Sequence, residues 1–276
     1  MDGLVLADKP SGKTSRDLTV LVGRELGERR TGHAGTLDPF ATGLMAVLVG
    51  RARRAQRFFM ALPKEYVAVA RFGATSTTGD PEGEITQTGV LPPEHLALPL
   101  GRIRQRPPAH SAIRIHGVRA YERARRGEAV EMPEREVTIY AFEELWRDGD
   151  RAGYRIACSS GTYVRSLIAD LGDAYTQELR RTAIGGFRVE DADPQRVLSL
   201  EAALAFFTHV RLTAAESVRA AHGLAVTPEE ELIEPSGSWV VPDPPAEVLL
   251  VDGSGAVALA ERRDDGSLKP RVGFRG

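Results

Sequence analysis

The chain has 276 residues, of which 42% are hydrophobic and 27% charged, a composition typical of a globular protein. No stretch approaches the roughly 18 apolar residues of a membrane-spanning helix, and the first residues lack the pattern of a signal peptide. Cys158 is the single cysteine, which excludes an intramolecular disulfide and a multi-cysteine metal site. The sequence therefore predicts a cytoplasmic protein with no membrane association.

The formal net charge of −2 argues by itself against a nucleic-acid-binding protein, but the charge is unevenly distributed. Residues 1–190 hold 28 Lys and Arg against 24 Asp and Glu, a balance of +4, whereas residues 191–276 hold 8 against 14, a balance of −6. A basic surface on the first part is thus compatible with a near-neutral whole. Arginine makes up 32 of the 36 cations. This bias suits phosphate contact, but it is equally typical of a GC-rich genome and decides nothing alone.

The first third of the chain predicts a strand at residues 3–7 and then a helix from Thr14 or Ser15 to about Leu26. A loop rich in Gly, Thr and Pro follows at residues 31–43, and a short apolar run at 44–49. Four arginines come next, at positions 51, 53, 54 and 57.

The remaining elements mix strands and helices without strict alternation, which favours an α+β fold over a doubly wound one. Strands are predicted at 66–72, 137–146, 154–158, 247–251, 256–260 and 270–274, and helices at 118–126, 162–171 and 176–181. A Pro- and Glu-rich composition break at 225–243 separates the last three strands from the rest. These strands predict a small β-rich module at the C-terminal end.

The loop at 31–43 contains the most informative candidates for chemistry. Asp38 precedes Pro39, so its backbone is biased toward an extended shape, and glycines nearby allow close backbone approach to a ligand. A carboxylate fixed in this way can serve as a nucleophile or a general base. On spacing alone, an aspartate that only caps the turn before Pro39 is the favoured interpretation, because Asp-Pro turns are common. His33, in the same loop, is compatible with a structural hydrogen bond or with a functional role.

Five ordered segments together resemble one known family. The loop reads TGHAGTLDPFATGLM at residues 31–45, followed by Lys64-Glu65-Tyr66. CSSGTYVRSL stands at 158–167, LRRTAIGGF at 179–187, and the chain opens with GLVLADKPSGKTS at 3–15. Each of these segments resembles a motif of the TruB family of tRNA pseudouridine synthases, and together they extend over most of residues 1–190.

The resemblance implies a fold and a domain organisation. The expected architecture is an α+β pseudouridine-synthase catalytic domain with a mixed sheet at residues 1–225, followed by a small PUA-like RNA-binding module at 233–276. An insertion at about 91–132 would close over RNA. Three positions depart from the family pattern: His110 stands where an aromatic residue is usual, Arg114 replaces a lysine, and Ser76-Thr77-Thr78 replaces Thr-Asp-Thr with the loss of one acid.

The resemblance also implies an activity, the isomerisation of the uridine at position 55 in the TΨC loop of tRNA to pseudouridine. Asp38 would be the catalytic carboxylate and Arg165 the cation that keeps it ionised. His33 would help to extrude and hold the nucleotide. Tyr66 would lie against the flipped uracil and Tyr163 would line the same pocket. Lys64 and Arg181 complete the implied substrate-binding set.

The same resemblance implies that no cofactor and no metal is needed, since the reaction involves neither redox chemistry nor phosphoryl transfer. The expected partner is the T stem-loop of tRNA, bound by a monomer without a guide RNA. The arginines at 51, 53, 54, 57, 180 and 181 are candidates for phosphate contacts, and solvated surface charges are the competing interpretation. Three alternative functions stay open: an RNA-folding chaperone, a guide-dependent relative of the family, and a hydrolase in which Asp38 activates water.

Overall fold

The computed structural model describes residues 1–108, 114–115, 118–119, 126, 132–228, 232–233 and 246–275. Within these residues the α-helices are α1 Ser15–Glu25, α2 Gln56–Ala61, α3 Val164–Ala169, α4 Leu200–Ala203 and α5 Ala214–Ala221. Short 3-10 helices span Gly50–Ala55 and Val189–Asp191. The strands are β1 Gly3–Lys9, β2 Thr31–His33, β3 Thr42–Val49, β4 Lys64–Phe72, β5 Ala74–Ser76, β6 Ile85–Gln87, β7 Gly101–Gln105, β8 Arg114–Ile115, β9 Val118–Arg119, β10 Arg135–Asp148, β11 Arg151–Cys158, β12 Ala174–Ile184, β13 Phe187–Arg188, β14 Val197–Leu198, β15 Thr208–Arg211, β16 Leu232–Ile233, β17 Val248–Asp252, β18 Gly255–Arg262 and β19 Leu268–Gly273.

The chain divides into two compact units. The terminal unit comprises Met1–Asp38, Gly43–Leu62 and Ala183–Gly276. The central unit comprises Pro39–Thr42 and Pro63–Thr182. Strands and helices occur in both units without regular alternation, so the predicted α+β class is confirmed.

In the terminal unit, β1 pairs antiparallel with β3 along its whole length, from Gly3 opposite Val49 to Lys9 opposite Gly43. Strand β14 lies on the other edge of β1, and β2 also pairs with β3. Helix α1 begins where the sequence predicts, because Thr14 and Asp17 form a capping box: the Thr14 side chain accepts from the Asp17 N–H and the Asp17 side chain accepts from the Thr14 N–H.

A second sheet in the terminal unit runs in the order β16-β15-β17-β18-β19, with β15 and β17 parallel and the other pairs antiparallel. Its last three strands confirm the three predicted from the C-terminal sequence. One face packs on α5, with Leu250 and Val257 in that contact. The other face packs into the core of the N-terminal strands. Strand β15 lies before residue 225, so this sheet includes a strand from the part of the chain that precedes the Pro- and Glu-rich segment at 225–243.

In the central unit, five strands follow the order β12-β4-β11-β10-β7. Strand β4 pairs antiparallel with β11, with Lys64 opposite Cys158 and Tyr66 opposite Ile156. The prediction of a helix at 176–181 is wrong, because these residues lie within β12. The helix predicted at 162–171 is present in a shorter form as α3.

The helix predicted at 118–126 is also wrong at its start, since Val118–Arg119 form a strand that pairs with Arg114–Ile115. The rest of that prediction lies outside the described residues, apart from a turn at position 126. Across the described ranges, every helix is too short or too polar to cross a membrane.

Candidate active site

Asp38 directly follows a loop of the terminal unit, and hydrogen bonds to residues outside this loop hold the loop's backbone in place. The loop leaves β2 at His33, and the Ala34 N–H donates to the carbonyl of Ala46 over 3.0 Å. The Gln56 side-chain amide donates to the His33 carbonyl over 2.8 Å. Leu37 is buried, whereas Asp38 is half-buried and therefore accessible.

Gly35 has a φ of 115°, a conformation that side chains with a Cβ rarely adopt. The glycine predicted to give the loop conformational freedom is therefore required at this position. The loop places His33 at the end of a strand and Asp38 five residues later. Both are positions from which a side chain can reach a ligand.

In the central unit, Lys64, Tyr66 and Arg181 form a buried cluster on β4 and β12. Arg181 is 1% exposed and hydrogen bonds to the Tyr66 side chain. Burial and the nearby Arg181 charge lower the pKa of Lys64 to about 7. Burial raises the pKa of the adjacent Cys158 thiol to about 11. Sequence analysis offered Arg181 both for substrate binding and for phosphate contact, and the structure buries it as the hydrogen-bond partner of Tyr66.

Arg165 lies at the start of α3 and is held by a buried acid that sequence analysis missed. Its guanidinium donates to the Asp80 carboxylate over 2.8 Å and to the Thr78 carbonyl over 2.7 Å. The two side chains are 4% and 5% exposed, so this is a buried ion pair. The triplet Ser76-Thr77-Thr78 lacks the aspartate that is usual in the family. Asp80, two residues after this triplet, supplies a carboxylate nearby. Its position before Pro81 in a turn was the available signal.

Tyr163 is fixed through its backbone. Its N–H donates to the side-chain carbonyl of Gln105 over 2.8 Å, and the Gln105 amide donates back to the Tyr163 carbonyl over 2.9 Å. The Arg135 guanidinium lies 5.5 Å from the centre of the Tyr163 ring. The backbone of this half-buried residue is therefore held in place, and Arg135 lies near its ring.

Three of the arginines proposed for phosphate contact bond within the terminal unit. Arg51 donates to the Phe274 carbonyl over 2.8 Å and Arg54 to the Gly273 carbonyl over 2.6 Å. Arg57 pairs with Glu247 at 2.9 Å. These contacts fasten the segment after β3 to the C-terminal sheet.

The predicted site residues thus fall into two groups. His33 and Asp38 belong to the terminal unit, and Lys64, Tyr66, Tyr163, Arg165 and Arg181 to the central unit. Within the central unit, Arg181 joins Lys64 and Tyr66, while Arg165 is held separately by Asp80. The departure at His110 and the side chain of Arg114 lie outside the described residues.

Comparison with known proteins identifies the family. Residues 24–164 match the N-terminal domain of TruB family pseudouridylate synthases. Proteins named tRNA pseudouridine synthase B are similar over most or all of the chain. The one from Thermobifida fusca is 40% identical, covering 100% of this chain and 99% of its own. The one from Mycobacterium tuberculosis is 41% identical, covering 80% and 83%.

Solved structures agree in fold. A Cbf5-Nop10-Gar1 complex contains a chain with a TM-score of 0.69 and 23% identity, covering 98% of this chain and 83% of that one. An H/ACA ribonucleoprotein bound to a substrate RNA contains another, with a TM-score of 0.71 and 21% identity, covering 99% and 85%. The whole-length identity to the curated relatives and the family match at residues 24–164 lead to one conclusion: this chain belongs to the TruB family and is an RNA isomerase of the pseudouridine synthase type.

Proposed function

We propose that this enzyme converts the uridine at position 55 in the TΨC loop of tRNA to pseudouridine, with Asp38 as the essential carboxylate. The observation that carries the proposal is the 40% identity, over the whole chain, to a protein named tRNA pseudouridine synthase B. The position of Asp38, half-buried directly after a loop held by hydrogen bonds, supports its assignment as the reactive group.

The reaction breaks the N1–C1′ glycosidic bond, rotates the uracil, and joins C5 to C1′. The carboxylate could attack C6, attack C1′, or remove a sugar proton to give a glycal. Each of these routes requires an ionised carboxylate close to the nucleoside. The sequence resemblance assigns Arg165 as the cation that favours ionisation of Asp38. Within the central unit, the ion pair with Asp80 holds the Arg165 guanidinium in place.

The remaining assignments concern the extruded nucleotide. Extraction of a stacked base costs a few kcal/mol, which contacts in the pocket must recover. Tyr66 and Tyr163 offer aromatic faces for the base, and His33 holds the nucleotide out of the loop. Lys64 and Arg181 are buried, so their contribution to binding is to support Tyr66 and the pocket wall.

The substrate is the T stem-loop, and the enzyme acts as a monomer in the cytoplasm without a guide RNA. The structures similar in fold are described as H/ACA and Cbf5 complexes, but the curated relatives at 40% identity are named as tRNA enzymes. The division proposed is a catalytic domain at residues 1–225 and a PUA-like RNA-binding module at 233–276. Recognition of a folded stem-loop by shape is typical of RNA-binding proteins.

The test is pseudouridine mapping on unmodified tRNA incubated with the purified enzyme alone. We expect one modified uridine, in the TΨC loop. In Asp38→Asn we expect the rate to fall by at least about 10²-fold while tRNA binding is retained. Asp264→Asn, at an exposed turn of the C-terminal sheet, is the matched control and should react normally. Tight binding without modification by the wild-type enzyme would instead favour a chaperone or a guide-dependent role.

A further inference from the structure

Ser15 is a buried hydroxyl at the start of α1 that belongs to no part of the chemistry described above. It is 3% exposed, and the capping box of Thr14 and Asp17 fixes the helix end on which it stands. A serine in the first turn of a helix ordinarily faces water or caps the helix itself. Here its side chain turns to a segment 22 residues away in the sequence.

The Ser15 hydroxyl bonds to both backbone groups of Leu37. It accepts from the Leu37 N–H over 2.8 Å and donates to the Leu37 carbonyl over 3.0 Å. A hydroxyl has one proton to give and lone pairs to receive, so both bonds form together. Leu37 is itself 4% exposed, and buried backbone groups must be paired. The Ser15 side chain therefore pairs with both backbone groups of Leu37, as the backbone of a neighbouring strand would.

Asp38 is the next residue, and its conformation is restricted from both sides. On one side, the Ser15 bonds and the buried side chain fix the Leu37 peptide. On the other side, Pro39 biases Asp38 toward an extended backbone. The direction in which the Asp38 carboxylate points thus depends on where Ser15 holds Leu37.

We propose that Ser15 is a positioning residue for the Asp38 carboxylate. This inference rests on the proposed catalytic role of Asp38. Its physical basis is that a displacement of about 1 Å at a reacting group can cost about 10²-fold in rate. Ser15 is 3% exposed and its hydroxyl is engaged by Leu37, so its loss should slow the chemical step and leave RNA binding intact.

The matched control is Thr19, one turn farther along the same helix. Thr19 is also buried, and its hydroxyl donates to the Ser15 carbonyl over 2.7 Å. Thr19→Ala removes a buried hydroxyl from α1 without removing a bond to Leu37. It therefore reports what general loss of helix packing does to activity.

The experiment measures the single-turnover rate at saturating enzyme, the Kd for tRNA and the thermal midpoint for each variant. In Ser15→Ala we expect the rate to fall by about 10- to 100-fold and the Kd to change by less than about threefold. In Thr19→Ala both should stay within about threefold of wild type. Ser15→Cys keeps the size with weaker hydrogen bonding, so its rate should fall between wild type and Ser15→Ala.

A wild-type rate in a folded Ser15→Ala protein would overturn the inference. An equal loss of rate in Thr19→Ala would also overturn it, since the effect would then be one of helix stability. Asp38→Asn is measured alongside to separate the two proposals. If Asp38→Asn remains active, the proposed catalytic role of Asp38 is wrong and the inference about Ser15 falls with it; if only Asp38→Asn is impaired, the role of Asp38 stands and that of Ser15 is wrong.

Discussion

At the scale of single residues, the buried amine of Lys64 is a group whose protonation changes near neutral pH. It is 7% exposed, and burial, followed by the repulsion of Arg181, lowers its pKa from 10.5 to about 7. The unfolded chain keeps the ordinary value. Between pH 7 and 10.5 the unfolded chain therefore binds a proton that the folded chain does not, and stability rises with pH.

The neighbouring Cys158 limits this rise. Burial raises its thiol pKa from 9.0 to about 11, so above pH 9 the unfolded chain loses a proton that the folded chain retains. That difference lowers stability as pH increases. Above pH 9 the two effects on stability oppose each other. Between pH 7 and 9, Lys64 is the member of this pair whose protonation changes the stability.

We expect Lys64→Met to remove a pH-dependent gain in stability of about 1.4 kcal/mol per pH unit across that window. The measurement is urea unfolding at pH 7, 8 and 9, analysed as the difference between variant and wild type. Lys13→Met, at an exposed lysine, should keep the wild-type slope. An unchanged slope in Lys64→Met would show that the amine remains charged in the fold.

The assignment of candidate site residues rests on the motifs that surround them in the sequence. Asp38, Tyr66 and Arg165 stand in such motifs, and their roles stay predictions. The position of Asp80 before Pro81 is a local signal, but its pairing with Arg165 could not be predicted, because that pair joins positions 85 residues apart. The burial of Arg181 was equally hidden, since an arginine is ordinarily a surface charge.

At the scale of elements, β12 shows why a helix was predicted at 176–181. Gln, Glu, Leu and two Arg favour a helix by intrinsic propensity. The structure makes them part of an 11-residue strand in which Leu179 and Arg181 are buried while Glu178 is exposed. Pairing in the sheet outweighs propensity here, and a buried arginine breaks the apolar alternation by which a strand would be recognised.

Helix α1 was predictable because the residues that start it are close together in the sequence. Its N-terminal cap can be tested against the equivalent cap of α5. Thr14 with Asp17 and Thr213 with Glu216 form equivalent capping boxes on α1 and α5. Replacement of either threonine by alanine should cost about 1 kcal/mol of unfolding free energy. Because Ser15 follows Thr14 directly, only Thr14→Ala should also lower the reaction rate.

Urea unfolding and single-turnover kinetics on both cap variants test this difference. The stability losses should be similar, so Thr213→Ala corrects for general destabilisation. Equal losses of rate in the two variants would argue that the cap of α1 has no special relation to the loop before Asp38.

At the scale of the whole molecule, the C-terminal sheet shares a core with the N-terminal strands of the terminal unit. Leu249, Leu259 and Phe274 pack in one cluster with Leu4 and Leu48, all nearly or completely buried. The sequence indicated a separate C-terminal module because a Pro- and Glu-rich segment at 225–243 precedes its strands. Such a break predicts a boundary in the chain but carries no information about which faces pack afterwards.

Polar contacts fasten the same sheet. Arg51 and Arg54 bond to carbonyls of the last strand region, at Phe274 and Gly273. Arg275 makes two hydrogen bonds to Asp252, at 2.6 and 2.7 Å, and these bonds hold the pKa of that carboxyl well below its usual value. The end of the chain is thereby anchored to two parts of the terminal unit.

We therefore expect a chain truncated after residue 225 to lose the fold of its terminal unit. Truncation exposes the apolar residues against which Leu249, Leu259 and Phe274 pack, and the loss of one such large side chain from a core already costs about 2–5 kcal/mol. That loss is comparable to the total stability of many domains. The measurement is the soluble yield and thermal midpoint of residues 1–225, with Val218→Ala, a change at a 60% exposed side chain, as the full-length control. A soluble truncated protein that melts at the full-length temperature would show instead that residues 1–225 fold independently and that the shared core contributes little.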